Sequence, residues 1–247
     1  MTIRLALANS ADYAELHPHD LPLSEALLDA GLEPVPEVWT DPSVDWSSYD
    51  AVLLRSIRDY QPRCVEFTGW LGQLDKAGVT LLNESALVRW NGDKRYLLEL
   101  RERGVSIVPS QVAAGPCLRE VVAALNGQEI VIKPTVGSTA LHLVRGTAGD
   151  ELSQTLDDLP AGAYLVQPFQ PEIEAAGEWS LTFIDGEFDH AVVRCPGADD
   201  HRVDQPFGGT AERREPPVAV LGGAAAALAA LDTKLPPVYA RVDGILA

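Results

Sequence analysis

Over roughly its first ninety residues the chain alternates short apolar runs with stretches of helical period, a pattern that points to a parallel sheet covered by helices. Residues 3–8, 51–54 and 79–82 read as buried strands. Residues 24–30 read as a helix stopped by Gly31. Residues 65–77 carry Val65, Phe67, Trp70, Leu71, Leu74 and Ala77 near helical spacing and stop at Gly78. In such sheets ligands lie beyond the carboxyl ends of the strands. Arg55-Ser56-Ile57-Arg58-Asp59-Tyr60 occupies that place after the second strand, although by itself it favours an ordinary solvated loop.

From Asn91 the pattern changes. Residues 93–103 read as a helix closed by Gly104, residues 105–109 as a short extended piece, and residues 118–125 as another helix. A strand over 129–134 ends in Lys133-Pro134, runs into a small-residue turn at 135–140, and is followed by a strand through Val144. Residues 163–169 read as a further strand. Asp185-Gly186 then joins strands over 179–184 and 188–194, a strong hairpin signal, so this half is expected to be antiparallel. The alanine-rich residues 219–231 read as a buried or amphipathic helix.

Acidic residues outnumber basic ones 36 to 19, and the formal charge of −17 argues against nucleic acid as a partner. An acidic chain can still hold an anion where a few cations converge, together with a metal ion. No segment has the length of a membrane span or of a signal-peptide core, so no membrane association is expected. Three scattered cysteines without a CxxC suit free thiols and a cytoplasmic setting. His17 and His19, in a polar loop with Asp20, read as solvated. GxxxxGK[ST], GxGxxG after the first strand, HExxH and GxSxG are all missing.

What remains is a distributed set of residues. Lys94 opens a helix, and Lys133 closes a strand just before a Gly/Ser/Thr turn. Burying an unpaired ammonium is costly, and a turn of small residues can offer N–H groups to an anion. Lys133 could equally snorkel out at its strand end.

Taken in order, several segments resemble the ATP-grasp superfamily, nearly from end to end. Most specific is Leu87-Val88-Arg89-Trp90-Asn91-Gly92-Asp93-Lys94-Arg95-Tyr96-Leu97 followed by Gly104-Val105-Ser106-Ile107-Val108-Pro109, which is similar to the entry of the ATP-grasp domain in glutathione-synthetase-like members. The resemblance implies an α/β fold: a small parallel-sheet domain over 1–91, then two α+β subdomains with antiparallel sheets, over 92–170 and 171–247, that clasp ATP. It implies ATP-phosphate contacts for Lys94 and Lys133 and a flap at Gly137, Ser138 and Thr139. It also implies an adenine hinge at Gln167, Pro168 and Phe169, and a ribose contact at Glu178. Arg241 would bind phosphate or substrate, Asp243 would ligate Mg2+, and Arg202 would lie over the transferring phosphate. Arg202 could instead pair with the neighbouring aspartates Asp199 and Asp200. Arg55, Ser56, Asp59, Tyr60, Gly208 and Gly209 would touch a small, amino-acid-like substrate lying between the first domain and the grasp.

The implied activity is an ATP-dependent carbon–nitrogen ligase working through an acyl phosphate, with ATP and Mg2+. The pieces are most similar to a branch that includes D-cycloserine synthetase, which closes a ring within one substrate. Two alternatives stay open: a noncatalytic ATP-binding module of the same fold, and a nucleotide-sugar glycosyltransferase-like protein with a parallel second domain. The superfamily follows its Arg-x-Asp segment with a strand carrying Glu and Asn, whereas this sequence ends at Ala247, which leads us to expect an incomplete sequence. Oligomeric state, a homo-oligomer included, is left open.

Overall fold

The computed structural model describes residues 2–137, 141–197, 202–203, 208–233 and 236–246. The chain divides into two compact units, Met1–Trp90 and Asn91–Ala247.

The first unit holds β1 (Arg4–Asn9), α1 (Leu21–Asp29), β2 (Glu33–Val38), β3 (Ala51–Leu54), α2 (Cys64–Ala77), β4 (Leu81–Leu82) and the start of α3 (Ser85–Asn91). Its strands form one parallel sheet in the order β2-β1-β3-β4. β2 was not foreseen in the sequence. It contains Pro34 and Pro36, which cannot donate to a ladder and are tolerated because β2 is an edge strand. α2 buries Phe67, Trp70, Leu71 and Leu74 against Ala6, Ala8 and Val52, with Trp39 edge-on to Phe67 at 5.5 Å. Val65, counted on that face from its spacing, lies in the first turn and points out, 89% exposed. Gly78 ends the helix at φ +70°, a left-handed cap whose N–H returns to the last turn.

The second unit continues with α4 (Tyr96–Glu102), β5 (Gln111–Ala114), α5 (Pro116–Ala124), β6 (Glu129–Pro134), β7 (Val144–Thr147), α6 (Asp150–Thr155), β8 (Ala163–Pro168), α7 (Glu172–Ala176), β9 (Glu178–Ile184), β10 (Glu187–Cys195), β11 (Thr210–Arg213), α8 (Val218–Ala229) and β12 (Tyr239–Gly244). Residues 105–109 are not a strand. The strand starts after Pro109, as β5.

Two four-stranded sheets result, ordered β5-β8-β6-β7 and β11-β10-β9-β12. Every pairing in them is antiparallel, with β9 and β10 joined at Asp185-Gly186 as expected. A parallel second domain, and with it the glycosyltransferase-like alternative, is overturned. One core packs Ile130, Ile132, Tyr164 and Val166 under Leu118, Val122 and Leu152. The other packs Leu181, Phe183 and Ala191 under Ala224 of α8, while most of that helix's remaining alanines stay exposed.

Candidate functional site

Strand periodicity decides which side chains are left for chemistry. In β6, Ile130 and Ile132 enter the core, so Lys133 lies on the opposite face. Lys94 is brought to the same place by the backbone, because its N–H donates to Thr135 O at 2.8 Å just past the end of β6. Its ammonium donates to Gly137 O at 2.5 Å. Burial lowers the Lys94 ammonium to about 8, helped by the charge of Lys133 and opposed by Asp93. Burial also pushes Lys133 below its ordinary value, with Glu178 pulling the other way. Two amines from separate segments therefore share one region.

Facing them is the polar side of the second sheet. Leu181 and Phe183 of β9, and Ala240 and Val242 of β12, pack toward α8. Glu178, Ser180, Thr182, Arg241 and Asp243 consequently share the other face. Register sets Asp243 opposite Ser180, Arg241 opposite Thr182, and Arg194 of β10 opposite Glu178. Arg194 Nη2 donates to Glu178 Oε2 at 2.5 Å and lies 3.2 Å from Asp243 Oδ2. Arg241 forks onto Asp243 with bonds of 2.9 and 2.8 Å. Burial, the largest influence, raises the Glu178 carboxyl, and the Asp243 charge adds to this against Arg194, Lys133 and Arg241. For Arg241, burial opposes its charge but Asp243 outweighs it, and its pKa is raised.

Arg194 was missed in the sequence, for a definite reason. From the two-residue turn, Ile184 pairs with Glu187 and Phe183 with Phe188; continued unbroken, this register sets Val193 against Glu178. A bulge between Phe188 and His190 shifts the ladder by one residue and brings Arg194 there instead. Gly177 makes the approach possible. It has φ +81°, and a Cβ there would stand 2.7 Å from Val193 Cγ1 and 2.8 Å from Arg194 O.

Other expected positions are less telling. Gln167 is buried, and its side-chain amide donates to Ser110 Oγ at 2.8 Å. Pro168 has no N–H, and the Phe169 N–H is spent on Glu129 O at 2.8 Å. The Pro168 and Phe169 carbonyls accept the Gln170 side-chain amide at 3.1 and 3.4 Å. Ser138 and Thr139 of the flap lie outside the described residues. Arg202 is half-buried, and Gly208, at φ +83°, and Gly209 precede β11.

In the first unit, Arg55, Ser56, Asp59 and Tyr60 follow β3 as expected, but they do not form a solvated loop. Asp20, 3% exposed rather than solvated, accepts from Arg55 Nε at 2.9 Å, Arg55 Nη2 at 2.6 Å and Ser56 Oγ at 2.6 Å. Asp59 accepts from Ser10 Oγ and Trp39 Nε1, each at 2.8 Å, and Tyr60 packs on Phe67.

Chemically, four cations (Lys94, Lys133, Arg194, Arg241) meet two carboxylates (Glu178, Asp243), a local excess of positive charge within an acidic chain. Among the described residues no three His, Cys, Asp or Glu side chains gather into a metal cage. Mg2+ is usually held by one or two carboxylates plus phosphate oxygens, so this donor set fits an ion that arrives on phosphate.

Several known proteins are similar to this chain in sequence and in fold. The family described as D-cycloserine synthetase DcsG, N-terminal domain, matches residues 5–83. The cycloserine biosynthesis protein DcsG of Streptomyces lavendulae is 32% identical over 237 residues, covering 90% of this chain and 79% of that protein. The crystal structure of D-cycloserine synthetase DcsG superposes with a TM-score of 0.84 at 30% identity, covering 97% of this chain and 86% of the other. The ATP-grasp ligase PsnB, solved with Mg and ADP, gives a TM-score of 0.62 at 16% identity, over 97% and 84% of the two chains, a likeness of fold alone. The chain belongs to the D-cycloserine synthetase DcsG family of ATP-grasp carbon–nitrogen ligases.

Proposed function

We propose that the second unit binds ATP as its magnesium complex, and that the enzyme phosphorylates a carboxylate of a small amino-acid-like substrate and closes that substrate into a ring. The observation that carries this reading is the meeting of Lys94 and Lys133 opposite Glu178, Arg194, Arg241 and Asp243. A substrate carboxylate oxygen bonds to the γ-phosphorus as the bond to ADP breaks. An amine nitrogen of the same molecule then bonds to the acyl carbon, phosphate leaves, and the nitrogen sheds a proton. In this scheme Lys94 and Lys133 grip phosphate oxygens, while Arg194 and Arg241 neutralise the charge of the transferring group. Asp243 would hold the Mg2+, which supplies charge neutralisation across the phosphates. Glu178 would meet the ribose hydroxyls, and the carbonyls at Pro168 and Phe169 the adenine amine. Arg55, Ser56, Asp59 and Tyr60, with Arg202, Gly208 and Gly209, are the proposed substrate contacts.

The direct test titrates Mg-ADP into wild type and Lys133→Ala by calorimetry, and measures ADP release from ATP with candidate amino acids as substrates. Loss of nucleotide affinity in the variant, with substrate-dependent ADP release in wild type, is the expected result. Unchanged affinity in Lys133→Ala would refute the role of that lysine. Binding without turnover across such substrates would favour the noncatalytic module. Among the described residues no helix is long and apolar enough to cross a membrane.

A further inference from the structure

The fold itself occupies the oxygens of Asp243. Its Oδ1 accepts from Ser180 Oγ at 2.7 Å and from Arg241 Nε at 2.9 Å. Its Oδ2 accepts from Arg241 Nη2 at 2.8 Å and meets Arg194 Nη2 at 3.2 Å. A carboxylate has about four lone-pair positions, and these four contacts fill them. The same Arg194 nitrogen reaches Glu178 Oε2 at 2.5 Å, so one guanidinium stands between the two carboxylates. Lys133 lies close enough to Glu178 to shift its titration, and adds a further positive charge.

A bare divalent ion meets two obstacles in such a place. It must displace guanidinium groups that are hydrogen-bonded to the oxygens it needs, and it must settle among cations. Breaking a partly buried ion pair without giving the released charge a new partner is strongly unfavourable. A polyphosphate removes both obstacles, because its oxygens accept the guanidiniums in bidentate fashion and its charge offsets the lysines. The carboxylate is then left open to metal.

Resting on the nucleotide-binding reading above, we propose that Arg194 and Arg241 are resident counter-ions of Asp243 and Glu178 that exclude divalent metal until a polyphosphate draws them away. Metal and nucleotide then load as one coupled event. Before the nucleotide arrives, Arg194 thus controls which partner the two carboxylates hold.

The experiment follows free Mn2+ by electron paramagnetic resonance, using the full chain with Mn2+ alone and with Mn2+ plus ADP. Wild type is expected to bind Mn2+ alone weakly, and to bind it with ADP at least about tenfold more tightly than the solution Mn2+–ADP equilibrium explains, within the usual range of such couplings. Arg194→Gln should bind Mn2+ alone about tenfold or more tightly than wild type, with the coupling to ADP reduced accordingly. Adding Asp243→Asn to Arg194→Gln should abolish the gained site.

Equal affinity of wild type and Arg194→Gln for Mn2+ alone overturns the proposal, as does a gained site that survives Asp243→Asn. Should Arg194→Gln fail to fold, Arg241→Gln, which strips the forked pair from Asp243, carries the same expectations and decides the matter. Failure of wild type to bind ADP in any form would instead sink the nucleotide reading, and the Mn2+-alone comparison distinguishes that result from failure of the counter-ion idea.

Discussion

Lys94 gives the sharpest quantitative handle on the site. Its ammonium is lowered to about 8 by burial first and by Lys133 second. Such an amine is about nine-tenths charged at pH 7 and about one-tenth charged at pH 9. A polyphosphate beside it favours the charged form, so binding must raise its pKa and, at alkaline pH, take up a proton. Raising the pH from 7 to 9 should therefore weaken Mg-ADP binding about ninefold, or ~1.3 kcal/mol. At pH 8.5 the complex should gain about three-quarters of a proton. The terminal phosphate contributes little in this window, since its second ionisation lies near pH 6. Burial shifts Lys133 in the same direction. Calorimetry in two buffers of different ionisation enthalpy measures the proton uptake directly. Lys94→Arg stays charged throughout and should flatten the dependence. Affinity constant within twofold from pH 7 to 9 in wild type, with no proton uptake, would refute the placement of this amine against phosphate.

Two further outcomes follow from the packing. Gly177→Ala forces a Cβ within 2.8 Å of two atoms of β10 at a left-handed φ, and should destabilise the second unit by roughly 2–4 kcal/mol. Hydrogen exchange along β9 and β10 is the readout, and unaltered protection there would contradict the close approach. In the first unit, burial pushes the Asp20 carboxyl up, but hydrogen bonds from Ser56 and Arg55 outweigh it and hold it below its ordinary value. The stability from this group is therefore present above the unfolded carboxylate value near 4 and is lost as pH falls through the lower folded value. Asp20→Asn should remove that part of the acid sensitivity; identical acid-unfolding curves for the two proteins would show that the pair contributes nothing.

The parts of the fold that the sequence made legible are those in which one local signal decides the outcome. Gly78 closes α2 because no other residue sits as easily at φ +70°, and Asp185-Gly186 turns β9 into β10 because the loop demands positive φ at both positions. Lys133 stood out as a charge at the end of an apolar strand. The features that escaped depend on distant partners. β2 is a strand only because β1 accepts it along one edge, and its prolines conceal it. Asp20 reads as a loop residue until Arg55 and Ser56, more than thirty positions away, turn it inward. Arg194 reaches Glu178 only through a one-residue bulge, and no periodicity in the sequence announces where a ladder will slip.

The charge of the chain, which argued against nucleic acid as a partner, bears differently on this site. At physiological ionic strength a surface charge is screened over about 8 Å, whereas partly buried groups are screened much less. The acidic residues are scattered along the whole sequence, while Lys94, Lys133, Arg194 and Arg241 come together in one unit. A phosphate held there interacts with four nearby cations at low effective dielectric and with the remaining acids only through salt water. The distant acids can slow the approach of an anion, and magnesium carried on the nucleotide lessens even that by reducing its charge. Local geometry therefore outweighs net charge, and sequence composition predicts the sign of a protein's long-range field far better than the sign of its binding site.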